Sequence, residues 1–419
     1  MLHESPLRAQ HTEYLGTLVA WARREVAAGR IDGTVLDEID VDYLPYGAAE
    51  AADGAHELVA TYGLVEPEYA AIRKGAALFD QPQRGVVRVR GGDALDFLNR
   101  MLTQELKDLQ PGMVRPSFWL NRKGRIDADM LVVHADDGFL LLLDRAQTKP
   151  TVASLDAFLF AEDVQIEDVS EEYFTFGLHG PEASAVLQEA FTAGEIPPAE
   201  VANAGSSVAL TWNDCEIHLV QRDLLGVPGY DVICPRLRAA DVWRSILAVD
   251  ERCYEGRRRV RPIGWYALNI ARIEAGSPIF NIDFGTTNLP HESGVLHSRV
   301  SFRKGCYLGQ EVVARMESLG RPKQILAGLR VMEDALPVAG AQVFPAGSED
   351  RANQIGIVTS STLSPMLGAE PVAFAMIRTK HADEGGRVLV NAEGRQVEAT
   401  ICPLQFWPSP NVQQPAGVT

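Results

Sequence analysis

Residues 303–320 read RKGCYLGQEVVARMESLG, and this stretch is the densest chemical signal in the chain of 419 residues. Gly305 and Gly309 flank a short step that contains Cys306. Because glycine adopts backbone conformations that other residues avoid, we expect a tight loop at this step. The run 310–318 that follows has the apolar spacing of one helix face. The stretch therefore predicts a loop that leads directly into a helix.

This loop places a thiol where its ionisation would be favoured. Cys306 precedes the predicted helix and follows Lys304 by two residues. A helix N-terminus and a nearby cation both stabilise a thiolate, which would make Cys306 a nucleophile. The local sequence equally allows a buried cysteine that packs as a small hydrophobic side chain. Within the helix, Glu311 and Arg315 are spaced to form an ion pair one turn apart.

The composition indicates a soluble globular protein and disfavours several other classes. Hydrophobic residues make up 46% and charged residues 23% of the chain, which is ordinary for globular domains. The net charge of −17 makes general nucleic-acid binding unlikely, because that needs a basic surface. The five cysteines lack CxxC spacing and are expected to be reduced thiols. The sequence shows no secretion signal and no apolar run long enough to span a bilayer, so we expect a cytoplasmic protein without a membrane partner.

Sequence patterns divide the chain into four segments. Residues 1–64 are expected to form an N-terminal helical arm that ends in an irregular acidic stretch, 31–53. Helices and strands alternate over residues 65–321. Over residues 322–407, short apolar runs separated by turn residues predict a small antiparallel barrel or sandwich. The Pro- and Gln-rich tail, 408–419, is expected to be disordered.

A basic run interrupts the acidic chain at residues 257–261, where four of the five residues are arginines. Charge runs are usually solvated, so an exposed surface is the favoured interpretation. The alternative is an anchor for a phosphate or a polyglutamate, because arginine forms paired hydrogen bonds with such anions.

The stretch described first also resembles a family signature. The pattern K-G-C-Y-x-G-Q-E resembles the signature of YgfZ-type folate-binding proteins, a branch of the glycine-cleavage T-protein (aminomethyltransferase) superfamily. Every fixed position is present: Lys304, Gly305, Cys306, Tyr307, Gly309, Gln310 and Glu311. Residues 77–102, 121–129 and 272–276 resemble further T-protein phrases. The resemblance implies an α+β fold in which three domains form a ring around a central folate channel, with a C-terminal antiparallel β-barrel.

The same resemblance assigns roles to residues, and some expected residues are replaced. It implies a reactive centre at Cys306, Lys304 and Asp129, with Tyr307, Gly309, Gln310 and Glu311 supporting the motif. It implies folate contacts by Asn121, Asp129, Tyr230, Arg272 and Arg315, and no metal ligands. Ala128 replaces one aspartate of a family pair, Val227 replaces the glutamate expected to hold the pterin ring, and Leu268 replaces an arginine.

Three functions follow from these observations as hypotheses. The first is a tetrahydrofolate-binding protein that supports iron–sulfur cluster assembly or repair, with Cys306 at the mouth of a pterin cavity as its chemical centre. Its partners would be a reduced folate and iron–sulfur assembly or client proteins. The second is a tetrahydrofolate-dependent aminomethyl or methyl transferase, with Asp129 as electrostatic or general-base partner. The third is a non-catalytic binding scaffold.

Overall fold

β-Sheets, helices and a barrel are described here for residues 2–47, 54–191, 205–251, 258–347 and 353–407 of a computed structural model. Arg257 and the tail 408–419, for which disorder is predicted, lie outside these ranges. No helix within the described ranges is long and apolar enough to cross a membrane.

The N-terminal segment folds onto the rest of the protein through a helix and a small sheet. The helical part of the predicted arm is α1 (Arg8–Ala27), and α2 (Val35–Glu38) follows it. Three strands, β1 (Leu2–His3), β2 (Asp42–Tyr46) and β3 (Ala55–Thr61), form a sheet in the order β1-β3-β2. The irregular structure expected over residues 31–53 is therefore wrong for β2. Pro45 lies in that strand, and an edge strand tolerates the backbone donor that proline lacks.

A six-stranded sheet forms the first half of the main body. Its strands are β4 (Ala76–Asp80), β10 (Tyr173–His179), β11 (Ser207–Trp212), β12 (Cys215–Gln221), β13 (Gly229–Pro235) and β14 (Val260–Pro262). They are arranged in the order β11-β12-β13-β10-β4-β14. Helices α6 (Ala183–Ala190) and α7 (Ala239–Glu251) cover one face, where Leu187 and Trp243 pack against Phe176. A further helix, α3 (Val65–Lys74), packs beside β4.

A five-stranded sheet forms the second half. Its strands are β5 (Arg84–Arg90), β6 (Val114–Leu120), β7 (Ile126–Ala135), β8 (Gly138–Asp144) and β9 (Gln165–Asp168), in the order β6-β7-β8-β5-β9. Helices α4 (Ala94–Met101) and α5 (Arg145–Asp156) accompany it. The two sheets meet through a shared apolar cluster in which Val86 and Leu140 join Val220 and Ile233. Val114, a member of this cluster, also lines the cavity described below.

Three helices and a barrel complete the chain. The helices are α8 (Trp265–Glu274), α9 (Leu296–Arg299) and α10 (Gln310–Leu319), and α10 confirms the helix predicted over residues 310–318. The barrel strands are β15 (Gln324–Val331), β16 (Gln342–Pro345), β17 (Gly356–Ser364), β18 (Glu370–Arg378), β19 (Arg387–Ala392) and β20 (Arg395–Cys402). They close in the order β15-β18-β17-β16-β19-β20 and pair antiparallel throughout, which confirms the predicted barrel.

Candidate functional site

A cavity of about 330 Å³ lies between the two larger sheets and α8. Rings and apolar side chains form part of its wall, including Tyr46, Phe79, Leu131, Trp265, Leu268 and Phe280. Polar side chains form much of the remainder, including Gln81, Gln83, Arg84, Asp129, Asp144, Gln221, Arg222 and Arg299. The volume falls at the lower end of the roughly 300–1,000 Å³ that is typical of small-molecule sites.

Asp129 is a predicted site residue that lines this cavity. It lies on β7, and its Oδ1 accepts a hydrogen bond from Nε of Arg299 over 3.0 Å. Successive residues of a strand face opposite sides of the sheet, so Ala128 is buried in the apolar core beside Trp119. A carboxylate at position 128 would be buried among apolar side chains, at a high desolvation cost. This strand therefore presents a single carboxylate to the cavity.

Arg84 and Asp144 are opposite each other on the paired strands β5 and β8, and both line the cavity. Oδ2 of Asp144 accepts a hydrogen bond from the Tyr46 hydroxyl over 2.6 Å, and Oδ1 accepts one from the Ala146 N–H over 2.9 Å. Nη2 of Arg84 donates to the Leu142 carbonyl over 3.2 Å. Burial lowers the pKa of Arg84 to about 10, so its guanidinium is charged at neutral pH.

A second polar cluster surrounds Asp231 of β13. Its carboxylate accepts hydrogen bonds from Nε2 of Gln81 over 2.9 Å and from Nη1 of Arg222 over 3.2 Å. Tyr230, predicted to contact folate, is the adjacent residue on the strand and lies in the core of the six-stranded sheet beside Trp243. Tyr230 is not among the residues that line the central cavity, so its contact with folate stays a prediction.

Two replacements in the family pattern remove polar groups from this region. Leu268, at the position of an expected arginine, lines the cavity as an apolar residue. Val227, at the position of the expected glutamate, packs against an apolar cluster that includes Phe79 and Leu225. Any polar contact that these positions make in other family members must be made here by other residues.

Cys306 lies on the surface, away from the cavity. It is exposed and borders a shallow depression whose other residues include Asp96, Arg100 and Glu162. It is not among the residues that line the central cavity, so the expectation of a sulfur at the cavity mouth is wrong. In the described ranges, no three His, Cys, Asp or Glu side chains are arranged to hold a metal ion.

Lys304 has a structural role that the sequence did not reveal. It is 7% exposed, and its ammonium donates to the carbonyls of Asn99, Leu102 and Gln104, the last two over 2.7 and 2.9 Å. An ammonium has three donors, and all three are used here. The ammonium therefore has no N–H left to donate to Cys306, and any effect of Lys304 on the thiol would act through its charge alone. Burial lowers the pKa of Lys304 to about 8.

Thr103, between two of the residues whose carbonyls bind Lys304, is hydrogen-bonded to the backbone of the cavity residue Arg299. Thr103 is fully buried, and its hydroxyl donates to the backbone carbonyl of Arg299 over 2.6 Å. Its N–H donates to the Phe118 carbonyl over 3.1 Å. Residues 102–104 therefore contact Lys304 of the motif loop on one side and the backbone of a cavity residue on the other.

The glycine and tyrosine of the motif pack against the core. Gly309 has a φ of +79°, and a Cβ there would lie 2.7 Å from the carbonyl oxygen of Asn121. Asn121 organises the facing turn: its Oδ1 accepts from the N–H groups of residues 123 and 125, and its Nδ2 donates to Asp127. Tyr307 is 7% exposed and packs with Phe118 and others, and burial raises its pKa to about 12. Asn121 is not among the cavity-lining residues, contrary to its predicted contact with folate.

The polar residues of α10 face solvent. Gln310 is its first residue, and Glu311 and Arg315 are exposed. Arg315 is not among the residues that line the central cavity, and the helix directs it to the surface. Its contact with folate stays a prediction.

Arg272 is sealed inside the protein between α8 and the barrel. Its Nη1 pairs with Asp283 over 2.7 Å, its Nη2 donates to Ser360 of β17 over 2.6 Å, and its Nε donates to Asn269 over 2.9 Å. The side chain has 0% exposure and is not among the residues that line the central cavity, so its contact with folate stays a prediction that this placement does not support. Its neighbour in the family phrase, Glu274, does not pair with it.

The basic run is divided between different environments. Arg259 pairs with Glu182 and Glu189 over 2.6 and 2.7 Å. Arg258 and Arg261 border a surface groove on the other side of α3. None of these arginines lines the central cavity.

Several cavity residues were not predicted from the sequence. Tyr46, Arg84, Asp144, Gln221, Arg222 and Arg299 come from five separate segments of the chain. For Arg84, one signal was available, because an arginine at the start of an apolar strand breaks its pattern. The pairing of β5 with β8, which brings Asp144 opposite Arg84, is long-range and has no local signal.

Comparisons with known proteins agree with this architecture. The aminomethyltransferases of Geobacillus thermodenitrificans and Geobacillus kaustophilus are 29% and 28% identical to the chain. Each comparison covers 87% of this chain and 96% of the relative. The crystal structure of glycine cleavage system aminomethyltransferase T from Bartonella henselae has a similar fold, with a TM-score of 0.75 and 23% identity over 90% of this chain and 97% of that chain.

Family models match most of the described chain. Residues 44–304 match the GCVT N-terminal domain, and residues 325–407 match the glycine cleavage T-protein C-terminal barrel domain. The first match begins inside the segment that the sequence suggested was a separate arm, and it includes β3 and most of β2. These matches cover more than half of the chain, so the chain belongs to the glycine cleavage T-protein family.

Proposed function

We propose that this protein binds tetrahydrofolate, or a one-carbon derivative of it, in the central cavity. Three cavity residues have buried polar atoms without a hydrogen-bond partner among the described residues: Oε1 of Gln83, Nε of Arg84 and Oε1 of Gln221. Buried polar groups in folded proteins are nearly always hydrogen-bonded, so these atoms favour a polar ligand. This observation is the main support for the proposal.

The shape and chemistry of the wall suit a reduced folate. Its pterin ring is flat and carries donors and acceptors along its edges, and the cavity combines the rings of Phe79 and Trp265 with amide and charged groups. Gln83, Arg84 and Gln221 would hold the polar edges of the ring. The named aminomethyltransferase relatives share almost their whole length with this chain, which favours the same class of ligand.

Bound tetrahydrofolate would supply an acceptor for a one-carbon unit, and the chain would supply orientation and charge. Asp129 is positioned by Arg299, whose Nε donates to its carboxylate. We assign Asp129 an electrostatic and orienting role toward a ligand amine.

For the biological activity we propose support of iron–sulfur cluster assembly or repair in the cytoplasm, as in YgfZ-type proteins. The complete K-G-C-Y-x-G-Q-E motif and the exposure of Cys306 favour this activity. A thiol on the surface is accessible to another protein, whereas a thiol inside a cavity of about 330 Å³ would be accessible only to small molecules. Folate binding and thiol chemistry would then occupy separate sites.

Aminomethyl transfer is the second candidate function. The names of the relatives favour it, and so does a carboxylate in the cavity wall at Asp129. Against it stand the apolar residues at positions 128, 227 and 268, which remove three polar groups of the family pattern. A non-catalytic scaffold would be the remaining interpretation if no folate binds.

Isothermal titration with tetrahydrofolate tests the proposal. We expect saturable binding to the wild type, and a loss of about tenfold in affinity for Asp129→Asn, because a charged hydrogen-bonding group would be removed from the wall. Asp137→Asn, in an exposed turn, is the matched control and should bind like the wild type. Absence of binding to the wild type would contradict the proposal, and unchanged affinity of Asp129→Asn would remove that residue from the site.

Two further assays separate the activities. Folate-dependent release of formaldehyde equivalents from glycine, sarcosine or dimethylglycine would establish the transferase. Cells that carry Cys306→Ala should lose activity of iron–sulfur enzymes while the variant protein retains folate affinity. Full iron–sulfur enzyme activity in those cells would contradict the proposed role of the thiol.

A further inference from the structure

We infer that Arg84 and Asp144 together recognise the amide edge of the pterin ring, replacing the glutamate that the family pattern places at position 227. The inference rests on the proposed folate binding and adds the residues that would select the ring. Val227 has no polar side-chain atom, so a pterin held in this cavity needs its edge recognised from another wall.

The first step is the position of the two residues. They are directly opposite on neighbouring antiparallel strands, and directly opposed residues have Cβ atoms about 4.5–5.5 Å apart. Both side chains line the cavity. Despite their opposite charges, they do not form an ion pair with each other; each is held by a different neighbour. The wall therefore presents a donor group and an acceptor group side by side.

The second step is the hydrogen-bonding capacity that remains. Each carboxylate oxygen of Asp144 accepts one hydrogen bond, from Tyr46 or from Ala146, and retains a further lone pair. Arg84 has five N–H donors, of which one is used by the Leu142 carbonyl, and its buried Nε has no partner among the described residues. Both groups can thus bind a ligand without losing an existing contact.

The third step is the chemistry of the ligand. The pyrimidine edge of a pterin carries, in order, an oxygen acceptor at C4, an N–H donor at N3 and an amino donor at C2. The guanidinium complements the oxygen, and the carboxylate accepts from the two adjacent N–H groups in the paired geometry that such groups favour. A single pair of adjacent side chains on one wall can therefore recognise the whole edge.

The alternative ligand for Arg84 would be the glutamate tail of the folate. The charges near Arg84 argue against it, because three carboxylates, those of Asp231, Asp144 and Asp129, lie close to this guanidinium with one further cation, Arg222. A further anion would be repelled by these three carboxylates, whereas the neutral edge of a pterin would not. The position of Arg84 within the wall thus favours the ring.

Binding measurements with two tail-less ligands test the inference on the wild type alone. The ligands are 6-methyltetrahydropterin and its analogue with an amino group in place of the C4 oxygen. We expect the 4-oxo compound to bind at least about tenfold more tightly, because the 4-amino group would place a donor against the donors of Arg84. Equal affinity for the two compounds would overturn the inference, even if every variant failed to fold.

Variants then assign the residues. Arg84→Met and Asp144→Asn should each lower affinity for tetrahydrofolate and for 6-methyltetrahydropterin by the same factor, at least about tenfold. Asparagine keeps an oxygen for the Ala146 N–H, so the start of α5 is preserved. Arg90→Met and Asp137→Asn remove the same groups from an ion pair on the surface of this sheet and should leave both affinities unchanged. Thermal melting of each variant verifies folding.

The outcomes separate this inference from the proposed function. If Arg84→Met weakens tetrahydrofolate binding alone, Arg84 holds the tail and the inference is overturned. If both variants bind both ligands like the wild type, folate binding stands and the inference falls. If the wild type binds neither ligand, the proposed function fails, and this inference fails with it.

Discussion

Replacing Gly309 with alanine should destabilise the protein by about 2–3 kcal/mol, because two penalties act on the same Cβ. The φ of +79° lies in the left-handed region, which costs an alanine about 1 kcal/mol. The new Cβ would also lie 2.7 Å from the carbonyl oxygen of Asn121, a backbone atom that cannot rotate away. Relieving such a contact costs a further ~1–2 kcal/mol.

Gly305 provides a matched control four residues earlier in the same motif. A Cβ there would meet no heavy atom within 4 Å, and its φ is not in the left-handed region. Gly305→Ala should therefore change stability by less than about 0.5 kcal/mol. The two glycines look equivalent in the sequence. A difference between the stability changes of the two variants therefore reports on the packing around each glycine and not on the loss of a glycine as such.

Urea denaturation followed by far-ultraviolet circular dichroism measures both variants against the wild type. We expect the unfolding transition of Gly309→Ala to shift to lower urea with an unchanged slope, and that of Gly305→Ala to coincide with the wild type. Equal transitions for the two variants would refute the reasoning, because they would show that α10 does not approach the Asn121 turn as described.

Three further predictions concern buried or exposed charges and thiols. Burial lowers the pKa of Lys304 from 10.5 to about 8. The free energy of unfolding of the wild type should therefore rise by about 2 kcal/mol, after solvent screening, as the pH rises from 8 to 10. Urea denaturation at a series of pH values should show that Lys304→Met lacks this rise. Arg272→Met should lower the free energy of unfolding by about 3–5 kcal/mol, because it strands the buried carboxylate of Asp283. In the native protein, iodoacetamide should modify the exposed Cys306 well before the buried Cys234, as read by mass spectrometry.

Each of these predictions has a clear contradiction. A pH profile of Lys304→Met that parallels the wild type would show that this ammonium is not buried as described, and the exposed Lys107→Met is the control. A loss below about 1 kcal/mol for Arg272→Met would show that its surroundings admit water. Equal modification rates for Cys306 and Cys234 would show that the sulfur of Cys306 is not exposed as described.

The sequence predicted much of the fold because local patterns determine it. The six barrel strands each alternate apolar residues between turn residues, and α10 follows from apolar spacing that ends at a glycine. Strand β2 was missed because acidic residues and Pro45 surround its few apolar side chains, and only pairing with β3 makes it a strand. A local sequence pattern does not show which distant strand a segment pairs with.

The site was only partly predictable, for a related reason. Asp129 was found because its segment resembles a family phrase, and alternation along β7 then explains why Ala128 is tolerated. Arg272 and Tyr230 are buried away from the residues that line the cavity, which the sequence did not indicate, because a motif gives the identity of a residue but not the direction of its side chain. The sequence predicted Cys306 at the cavity mouth for the same reason, because a motif does not indicate whether its loop faces the cavity or the outer surface.

The hydrogen bonds around Thr103 have a mechanical consequence for the two sites. Residues 102 and 104 are tied to Lys304, and the hydroxyl between them is tied to the backbone of Arg299. If a partner protein displaced the loop that contains Cys306, Lys304 would lose its hydrogen bonds to the carbonyls of residues 102 and 104. The displacement would then be transmitted through Thr103 to Arg299, which holds Asp129. Thr103 therefore couples the surface loop that carries Cys306 to Asp129 in the cavity wall through a short series of hydrogen bonds.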